Sequence, residues 1–203
     1  MATFTVKDHF LYRDGKRVAY WPSPNRSGLL VPEIIVIHYT GDNNLNGALS
    51  WLCNPLSKVS AHLVIAKDGK VYQLVPFNVV AWHAGVSAYE GRSGVNKFSI
   101  GIENVGFGDV WPAAQVEANR AVIRALTAHY GIEFLVGHED VAPGRKSDPG
   151  PRYPWDEVTA APEAPVVVEE VPAPVPVPEP VEANPQNLWG KIVEQLARVL
   201  KSK

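Results

Sequence analysis

Apolar residues in the first 159 positions follow two kinds of spacing. Three strands are predicted, at 33–38, 98–105 and 134–136. The first is apolar from Ile34 to Ile37, the second alternates apolar residues with Ser99, Glu103 and Asn104, and the third is apolar throughout. Such runs are typical of strands that are buried on both faces. Spacings of three and four residues instead predict helices over 45–53 and 112–130, the second beginning at a proline and ending before a glycine.

A hairpin is predicted between the first helix and the second of these runs. The segments 59–66 and 70–75 flank the dipeptide Asp68-Gly69, which is a strong turn signal between apolar segments. Strands therefore alternate with helices along 1–159. We predict an α/β domain there, with a mixed central β-sheet flanked by helices.

The composition changes sharply near residue 160. The stretch 160–186 is rich in Pro, Ala, Val and Glu; it holds eight of the 18 prolines and five glutamates, and it has no basic residue. Because proline fixes φ and removes an amide donor, neither a helix nor a central strand is expected. We predict an extended linker over 160–186.

A basic amphipathic helix is predicted over 187–203. Trp189, Ile192, Leu196 and Val199 are spaced to share one helical face, and the segment carries a net charge of +3. Such a helix can bind an anionic membrane or the outer envelope. The alternative is that it packs on the domain or associates with a second copy of itself.

Composition excludes several classes of protein. The chain is 46% hydrophobic and 20% charged with a formal net charge of −2, so no basic surplus suggests a nucleic-acid partner. The single cysteine, Cys53, excludes a disulfide framework and a cysteine-rich zinc finger. No apolar run is long enough for a membrane span, and the first residues lack a signal-peptide pattern, so we expect cytoplasmic synthesis without a signal peptide.

Two histidines are candidates for metal ligands. His38 and His138 each come directly after an apolar run, and strand ends are where α/β folds tend to bind ligands. A catalytic zinc site needs three protein ligands and one open position. On spacing alone the third ligand could be Glu139, Asp140 or Asp148. The alternative is that both imidazoles are structural.

Five separated blocks carry a resemblance to a known family. They are IVIHYT at 35–40, VSAHL at 59–63, AWHAGVS at 81–87, SIGIE at 99–103 and the stretch from GH at 137–138 to KSDPGP at 146–151. Their order resembles that of the zinc-dependent N-acetylmuramoyl-L-alanine amidases of the amidase-2 family. That family includes AmpD-like recycling enzymes, phage endolysins and peptidoglycan recognition proteins. The resemblance covers roughly residues 20–158.

The resemblance implies a role for each candidate. His38, His138 and Asp148 would bind one Zn²⁺, Glu103 would be the general base, and Lys146 would stabilise the oxyanion. Five further residues would bind substrate: His62, His83, Trp82, Tyr39 and Arg145. Four of these residues also have a structural alternative. Glu103 could be a structural carboxylate bound to a partner, and Lys146 could be a solvated loop residue beside Arg145. His62 could be a core imidazole, and His83 could simply pack between its neighbours.

Two positions depart from some relatives. Ala61 stands where some phage amidases have a tyrosine, which shifts the acid–base role to Glu103. Asp148 stands where other relatives have a cysteine ligand. All three implied ligands are nevertheless present, in contrast to the binding-only recognition proteins.

The implied function is hydrolysis of the amide bond between N-acetylmuramic acid and L-alanine. We expect a phage or prophage endolysin that is made in the cytoplasm and acts on the cell wall in the periplasm. The alternatives are a cytoplasmic recycling amidase for 1,6-anhydro-muropeptides, a non-catalytic peptidoglycan-binding module, and a wall-targeting domain whose membrane-active tail is the main function.

Overall fold

The computed structural model describes residues 3–160 of the chain. The linker beyond residue 160 and the amphipathic helix over 187–203 lie outside the described residues, so both stay predictions, as do the domain boundaries. Within the described range, no helix combines the length and the apolar character that a bilayer crossing requires.

Short strands account for most of the regular structure before the long second helix. The strands are β1 Phe4–Lys7, β2 Phe10–Arg13, β3 Lys16–Arg17, β4 Ala19–Tyr20, β5 Arg26–Leu29, β6 Ile34–Tyr39, β7 Leu63–Ile65, β8 Val71–Gln73, β9 Val79–Ala81, β10 Ala88–Tyr89, β11 Arg92–Ser93, β12 Ser99–Asn104 and β13 Phe134–Gly137. The helices are α1 Leu45–Leu52, α2 Ala113–Tyr130, α3 His138–Val141 and α4 Trp155–Thr159, with a 3₁₀ turn at Val95–Lys97.

Six of these strands form the central sheet, in the order β13-β6-β12-β7-β8-β4. The pairs from β13 to β7 are parallel, whereas β7 and β8 are antiparallel. The predicted mixed sheet with flanking helices is confirmed. Smaller sheets form from β1-β2-β3, from β5-β9 and from β10-β11.

The central strand β6 is buried on both faces. Ile35 and Ile37 belong to the core cluster that includes Leu126 of α2. Ile34 and Val36 point to the opposite face and join a second cluster. Because side chains alternate along a strand, only a continuous apolar run fills both layers. Each fully buried aliphatic side chain contributes roughly 1.5–3 kcal/mol, which fixes the position of this strand.

The two helices predicted within 1–159 are confirmed, with local signals at their ends. The Asn44 side chain accepts a hydrogen bond from the Gly47 backbone N–H at 3.1 Å and so caps α1. Leu49 and Leu52 of α1 pack against the sheet. Helix α2 ends at Gly131, whose φ of 68° lies in the left-handed region that terminates helices.

The predicted hairpin is confirmed as β7 and β8, although both strands are shorter than the apolar segments. Gly69 in the turn has a φ of +78°, and a Cβ there would lie 2.6 Å from the Ala114 carbonyl oxygen. Glycine is therefore required both by the backbone conformation and by the close approach of α2.

The N-terminal sheet of β1, β2 and β3 is not among the predicted elements, although its second turn is the pair Asp14-Gly15, which is a strong hairpin signal. Its first turn uses Asp8 and His9 at φ values of 50° and 62°. These left-handed conformations suit a hairpin turn, but they are usually signalled by Asn-Gly or Asp-Gly. Without a glycine, the turn carries no recognisable signal.

Candidate metal centre and cleft

Three parallel strands place candidate residues at one edge of the sheet. His38 is near the end of β6, Glu103 is near the end of β12, and His138 directly follows β13. The register pairs Glu103 with His38. Because the carboxyl ends of parallel strands meet at the same edge, side chains far apart in sequence converge there.

The loop after α3 returns Asp148 to the same place. The backbone N–H of Glu139 donates to the Asp148 carbonyl oxygen at 2.9 Å, which ties the two ends of the loop together. Neither Glu139 nor Asp140 belongs to the cluster of metal-ligand atoms that forms at this edge, which consists of His38, His138 and Asp148. Asp140 instead accepts a hydrogen bond from the Gly137 N–H at 2.7 Å.

The three convergent atoms form a small triangle. The Nδ1 atoms of His38 and His138 are 2.8 Å apart, and each lies 3.0 Å from Oδ2 of Asp148. Ligands about 2.0–2.1 Å from a tetrahedral ion are separated by about 3.3 Å. The triangle is close to that size, and its two nitrogens and one oxygen form a donor set that zinc accepts. The residues therefore fit a divalent cation.

The charge state of the cluster also suits a cation. Burial, the largest influence, lowers the pKa of His38 to about 4, so this imidazole is neutral at pH 7. Burial alone would raise the pKa of Asp148, but its contacts with the imidazoles of His138 and His38 hold it well below its usual range. A buried carboxylate beside a neutral imidazole needs a compensating positive charge.

Glu103 adds a second carboxyl group with unmet hydrogen-bonding capacity. Its Oε2 atom is buried and has no hydrogen-bond partner among residues 3–160. Burial and then the charge of Asp148 raise the pKa of Glu103 to about 8, while Lys146 acts in the opposite direction. A carboxyl group whose pKa lies near neutral pH can both accept and release a proton at that pH.

These side chains open into a cleft of about 410 Å³. Tyr39, Glu103, Arg145 and Lys146 line it, together with His138 and Asp148 of the cluster. Tyr39 also borders a shallower neighbouring depression that contains Phe107 and Arg152. A surface that continues past the cluster on one side suits an elongated substrate.

Two predicted groove residues are not in the cleft. His62 is fully buried; its Nδ1 accepts from the Gly101 N–H and its Nε2 lies 3.0 Å from the Val79 carbonyl oxygen. His83 is 8% exposed and contacts His38 from behind, with 3.0 Å between His83 Nδ1 and His38 Nε2. Both imidazoles are covered by the sheet and the segments packed on it and lie outside the cleft lining, whereas their binding of substrate stays a prediction.

Two other predicted groove residues, Arg145 and Trp82, donate hydrogen bonds within the protein. Arg145 lines the cleft, but its guanidinium donates to the carbonyl oxygens of Ala84 and Val86 at 2.6–3.1 Å. Trp82 is half-buried and donates from Nε1 to Ser27 Oγ at 3.1 Å. It does not line the cleft. Substrate binding by either residue stays a prediction.

Sequence reasoning missed Trp51, which lines the cleft and is 60% exposed. A signal was available, because Leu45, Leu49 and Leu52 form the buried stripe of α1 and Trp51 lies off that stripe. A large aromatic residue on the solvent side of an amphipathic helix indicates a binding surface more often than a core position.

Comparison with known proteins agrees with this geometry. Residues 28–151 match the protein family Amidase_2, described as N-acetylmuramoyl-L-alanine amidase. The chain belongs to the Amidase_2 family. Within that family, 101 residues are 48% identical to 1,6-anhydro-N-acetylmuramyl-L-alanine amidase AmpD of Escherichia coli K12, which is 48% of this chain and 55% of AmpD. The chain thus spans about half the length of the curated relatives it matches.

Solved structures of Amidase_2 proteins share the fold. A crystal structure of a selenomethionine AmpD derivative superposes with a TM-score of 0.63 at 34% identity, covering 70% of this chain and 92% of that one. A second structure is AmiD from E. coli in complex with the substrate anhydro-N-acetylmuramic acid-L-Ala-D-γ-Glu-L-Lys. It superposes with a TM-score of 0.59 at 32% identity, covering 76% of this chain and 64% of that one. The endolysin amidase LysCS from Clostridium intestinale superposes with a TM-score of 0.54 at 27% identity, covering 70% of this chain and 91% of that one.

Proposed function

We propose that this protein is a zinc-dependent N-acetylmuramoyl-L-alanine amidase. The single observation that carries the proposal is the triangle of His38 Nδ1, His138 Nδ1 and Asp148 Oδ2, which opens into a cleft beside a carboxyl oxygen of Glu103 that has no partner within residues 3–160. Membership of the Amidase_2 family supports the same reaction. The bond to be cut joins the lactyl carbonyl of N-acetylmuramic acid to the nitrogen of L-alanine.

His38, His138 and Asp148 are the residues that would hold the ion. Two imidazoles and one carboxylate would supply the three protein ligands that are typical of a catalytic zinc site. Zinc supplies Lewis acidity when bound, which makes a nearby water more acidic and a carbonyl carbon more electrophilic.

Glu103 is the proposed proton carrier. It accepts a proton from the water that attacks the carbonyl carbon, and it then donates that proton to the leaving nitrogen. The raised pKa of Glu103 in the ion-free protein supports this role, because the same group must bind and release a proton near neutral pH. A nearby cation lowers that pKa, which favours the base form.

Lys146 is the proposed oxyanion-stabilising group. Its side chain is exposed and borders the cleft beside Asp148, and its ammonium can donate to the carbonyl oxygen as negative charge develops there. The C–O bond forms and the C–N bond breaks. The products are a carboxylate on the lactyl group and the free amino group of L-alanine.

We propose that soluble muropeptides with a 1,6-anhydro sugar are substrates. The similarity to AmpD and the anhydro-muropeptide bound to AmiD support this class. An endolysin that cuts intact peptidoglycan is the second candidate, and the similarity to LysCS favours it. Tyr39 and Trp51 offer aromatic surface to a sugar or peptide in either case.

Mass spectrometry of digests separates these candidates. The purified full chain is incubated with 1,6-anhydro-N-acetylmuramoyl tripeptide and, separately, with purified sacculi. We expect release of the tripeptide in the first reaction. Release of peptide from sacculi at a comparable rate would favour the endolysin. If neither substrate is cleaved, the remaining interpretation is a non-catalytic peptidoglycan-binding module.

Metal removal tests the cofactor. A chelator is expected to abolish cleavage, and zinc added in excess is expected to restore it. A bound ion also stabilises the folded state by RT ln(1 + [Zn]/Kd), about 4 kcal/mol at a thousandfold excess over Kd. Chelation should therefore lower Tm in the wild type but not in Asp148→Ala. Full activity in the presence of the chelator would contradict the zinc proposal.

Contact between 187–203 and an anionic membrane or envelope surface is proposed from the sequence alone. Co-sedimentation with anionic liposomes compares the full chain with a chain that ends at residue 160. We expect only the full chain to sediment with the vesicles, and equal binding by both would contradict this proposal.

A further inference from the structure

The residue pair His83-Ala84 lies behind both histidines of the cluster. Nδ1 of His83 is 3.0 Å from Nε2 of His38, and the Ala84 carbonyl oxygen is 3.1 Å from Nε2 of His138. One dipeptide thus contacts Nε2 of both His38 and His138, the rings whose Nδ1 atoms face Asp148.

The hydrogen bonds behind His38 have a fixed direction. Ser99 Oγ donates its only hydrogen to the Val95 carbonyl oxygen at 2.6 Å, so toward His83 Nε2, at 3.2 Å, it can only accept. Nε2 of His83 therefore carries the ring hydrogen, and Nδ1 of His83 has a lone pair. That lone pair accepts from Nε2–H of His38, which leaves Nδ1 of His38 unprotonated inside the cluster.

The direction behind His138 follows from a single bond. A carbonyl oxygen only accepts, so at 3.1 Å Nε2 of His138 is the donor to Ala84, while the competing donor Nη2 of Arg145 lies farther away at 3.5 Å. Nδ1 of His138 then also has a lone pair inside the cluster. These outer contacts therefore favour, in both imidazoles, the Nε2–H tautomer that leaves Nδ1 free to bind a cation.

The dipeptide is itself held in place from two sides. Oδ1 of Asn96 accepts from the backbone N–H groups of His83 and Ala84 at 3.1 and 2.7 Å. The His83 ring lies directly on Gly101 of β12, where a Cβ would be 2.4 Å from His83 Cγ. The position of His83 therefore depends on one side-chain amide and on one glycine without a side chain.

We propose that His83 and Ala84, supported by Asn96 and Ser99, form a positioning bracket that fixes the tautomer of both histidine ligands and thereby sets the affinity for the ion. None of these four residues touches the substrate cleft, so they are positioning residues. The inference rests on the metal site of the proposed function and adds the residues that fix the tautomer and position of its two histidine ligands.

Zinc affinity is the first measurement, obtained for the full chain by competition with a chromogenic chelator. His83→Leu removes the acceptor for His38 and should weaken zinc binding about 10–100-fold, as is typical for the loss of such outer partners. His83→Asn keeps an acceptor oxygen at the Nδ1 position and should recover most of that loss. A merely space-filling role predicts the reverse order, because leucine fills the site better than asparagine.

Asn96→Ala and Ser99→Ala provide variants with smaller changes in the core. Asn25→Ala is the matched control for Asn96→Ala, because Asn25 also bridges backbone groups from a buried position but contacts neither histidine. We expect weaker zinc binding in both bracket variants and unchanged binding in the control. Unchanged affinity in folded Asn96→Ala, Ser99→Ala and His83→Leu would overturn the proposal.

Nitrogen-15 NMR of the zinc-free protein tests the bracket independently of the ion. In the wild type the imidazoles of His38 and His138 should carry hydrogen on Nε2, and Ser99→Ala should introduce the other tautomer at His38. Hydrogen on Nδ1 of His38 in the wild type would overturn the proposal. Correct tautomers in a wild type that binds no zinc would instead contradict the proposed function and leave the bracket intact.

Discussion

Glu103 and His38 lie opposite each other on the neighbouring parallel strands β12 and β6. The pairing brings a carboxyl group and an imidazole to the same edge of the sheet from positions 65 residues apart in sequence. Because side chains alternate between the faces of a sheet, a slip of one residue in this register would turn Glu103 away from His38. The buried apolar runs on both strands prevent that slip, so the core holds the relative position of the two groups.

Replacement of that carboxyl group should separate chemistry from ion binding. Glu103→Gln keeps the shape of the side chain but cannot carry the proton, so we expect kcat to fall by about 10²–10⁴, with zinc affinity within a factor of a few of the wild type. Kinetics on an anhydro-muropeptide and a zinc titration measure the two effects. Glu117→Gln, on the exposed face of α2, is the matched control and should retain full activity. Near-normal turnover in Glu103→Gln would exclude Glu103 as the general base.

The same substitution should change how stability depends on pH. In the zinc-free protein the pKa of Glu103 is raised from 4.5 to about 8, so between these values the folded state keeps a proton that the unfolded state has released. Stability is therefore lost as pH rises through this window. Glu103→Gln should be more stable than the wild type by roughly 2 kcal/mol at pH 8, with allowance for partial solvent contact, and about equal to it at pH 4.

Urea denaturation of both zinc-free proteins at pH 4, 6 and 8 measures this difference. The comparison removes the contribution of His38, which both proteins share, and reports the effect of Glu103 together with its repulsion by Asp148. A difference that grows toward low pH would mean that the Glu103 pKa is lowered in the folded state.

Trp51 should contribute to substrate binding from its exposed position on α1. It lines the cleft without belonging to the core, and stacking of a sugar or peptide on an indole is worth about 1 kcal/mol. Trp51→Ala should lower kcat/KM about 5–10-fold, mainly through KM, with unchanged Tm. Trp21→Ala is the matched control, since Trp21 is 46% exposed and lies outside the cleft lining. Equal kinetics in both variants would remove Trp51 from the binding surface.

Much of the sheet and the location of the site follow from local sequence signals. His38 and His138 could be predicted at one edge because each directly follows a buried apolar run. Asp148 could not be distinguished from Glu139 and Asp140 by spacing, because the choice depends on how the loop folds back. The resemblance to the amidase-2 family, rather than the pattern, selected Asp148.

The positions of His83 and Trp82 could not be predicted for a different reason. Both belong to one short segment, and which side chain points inward depends on its placement against β12 rather than on its own sequence. The decisive neighbour of His83 is Gly101, 18 positions further along the chain, and only the assembled sheet brings the two together.

That contact gives the last prediction. A Cβ at Gly101 would lie 2.4 Å from Cγ of His83, inside van der Waals contact, so the imidazole must move in Gly101→Ala. Overpacking of this kind costs about 1–3 kcal/mol, and the displaced ring should also weaken zinc binding. Gly28→Ala is the matched control, because a Cβ there meets no atom of the described residues within 4 Å. Urea denaturation and a zinc titration of both variants should show a loss of stability and of zinc affinity only in Gly101→Ala. A Gly101→Ala protein with wild-type stability and wild-type zinc affinity would mean that zinc binding does not depend on the present position of the His83 ring.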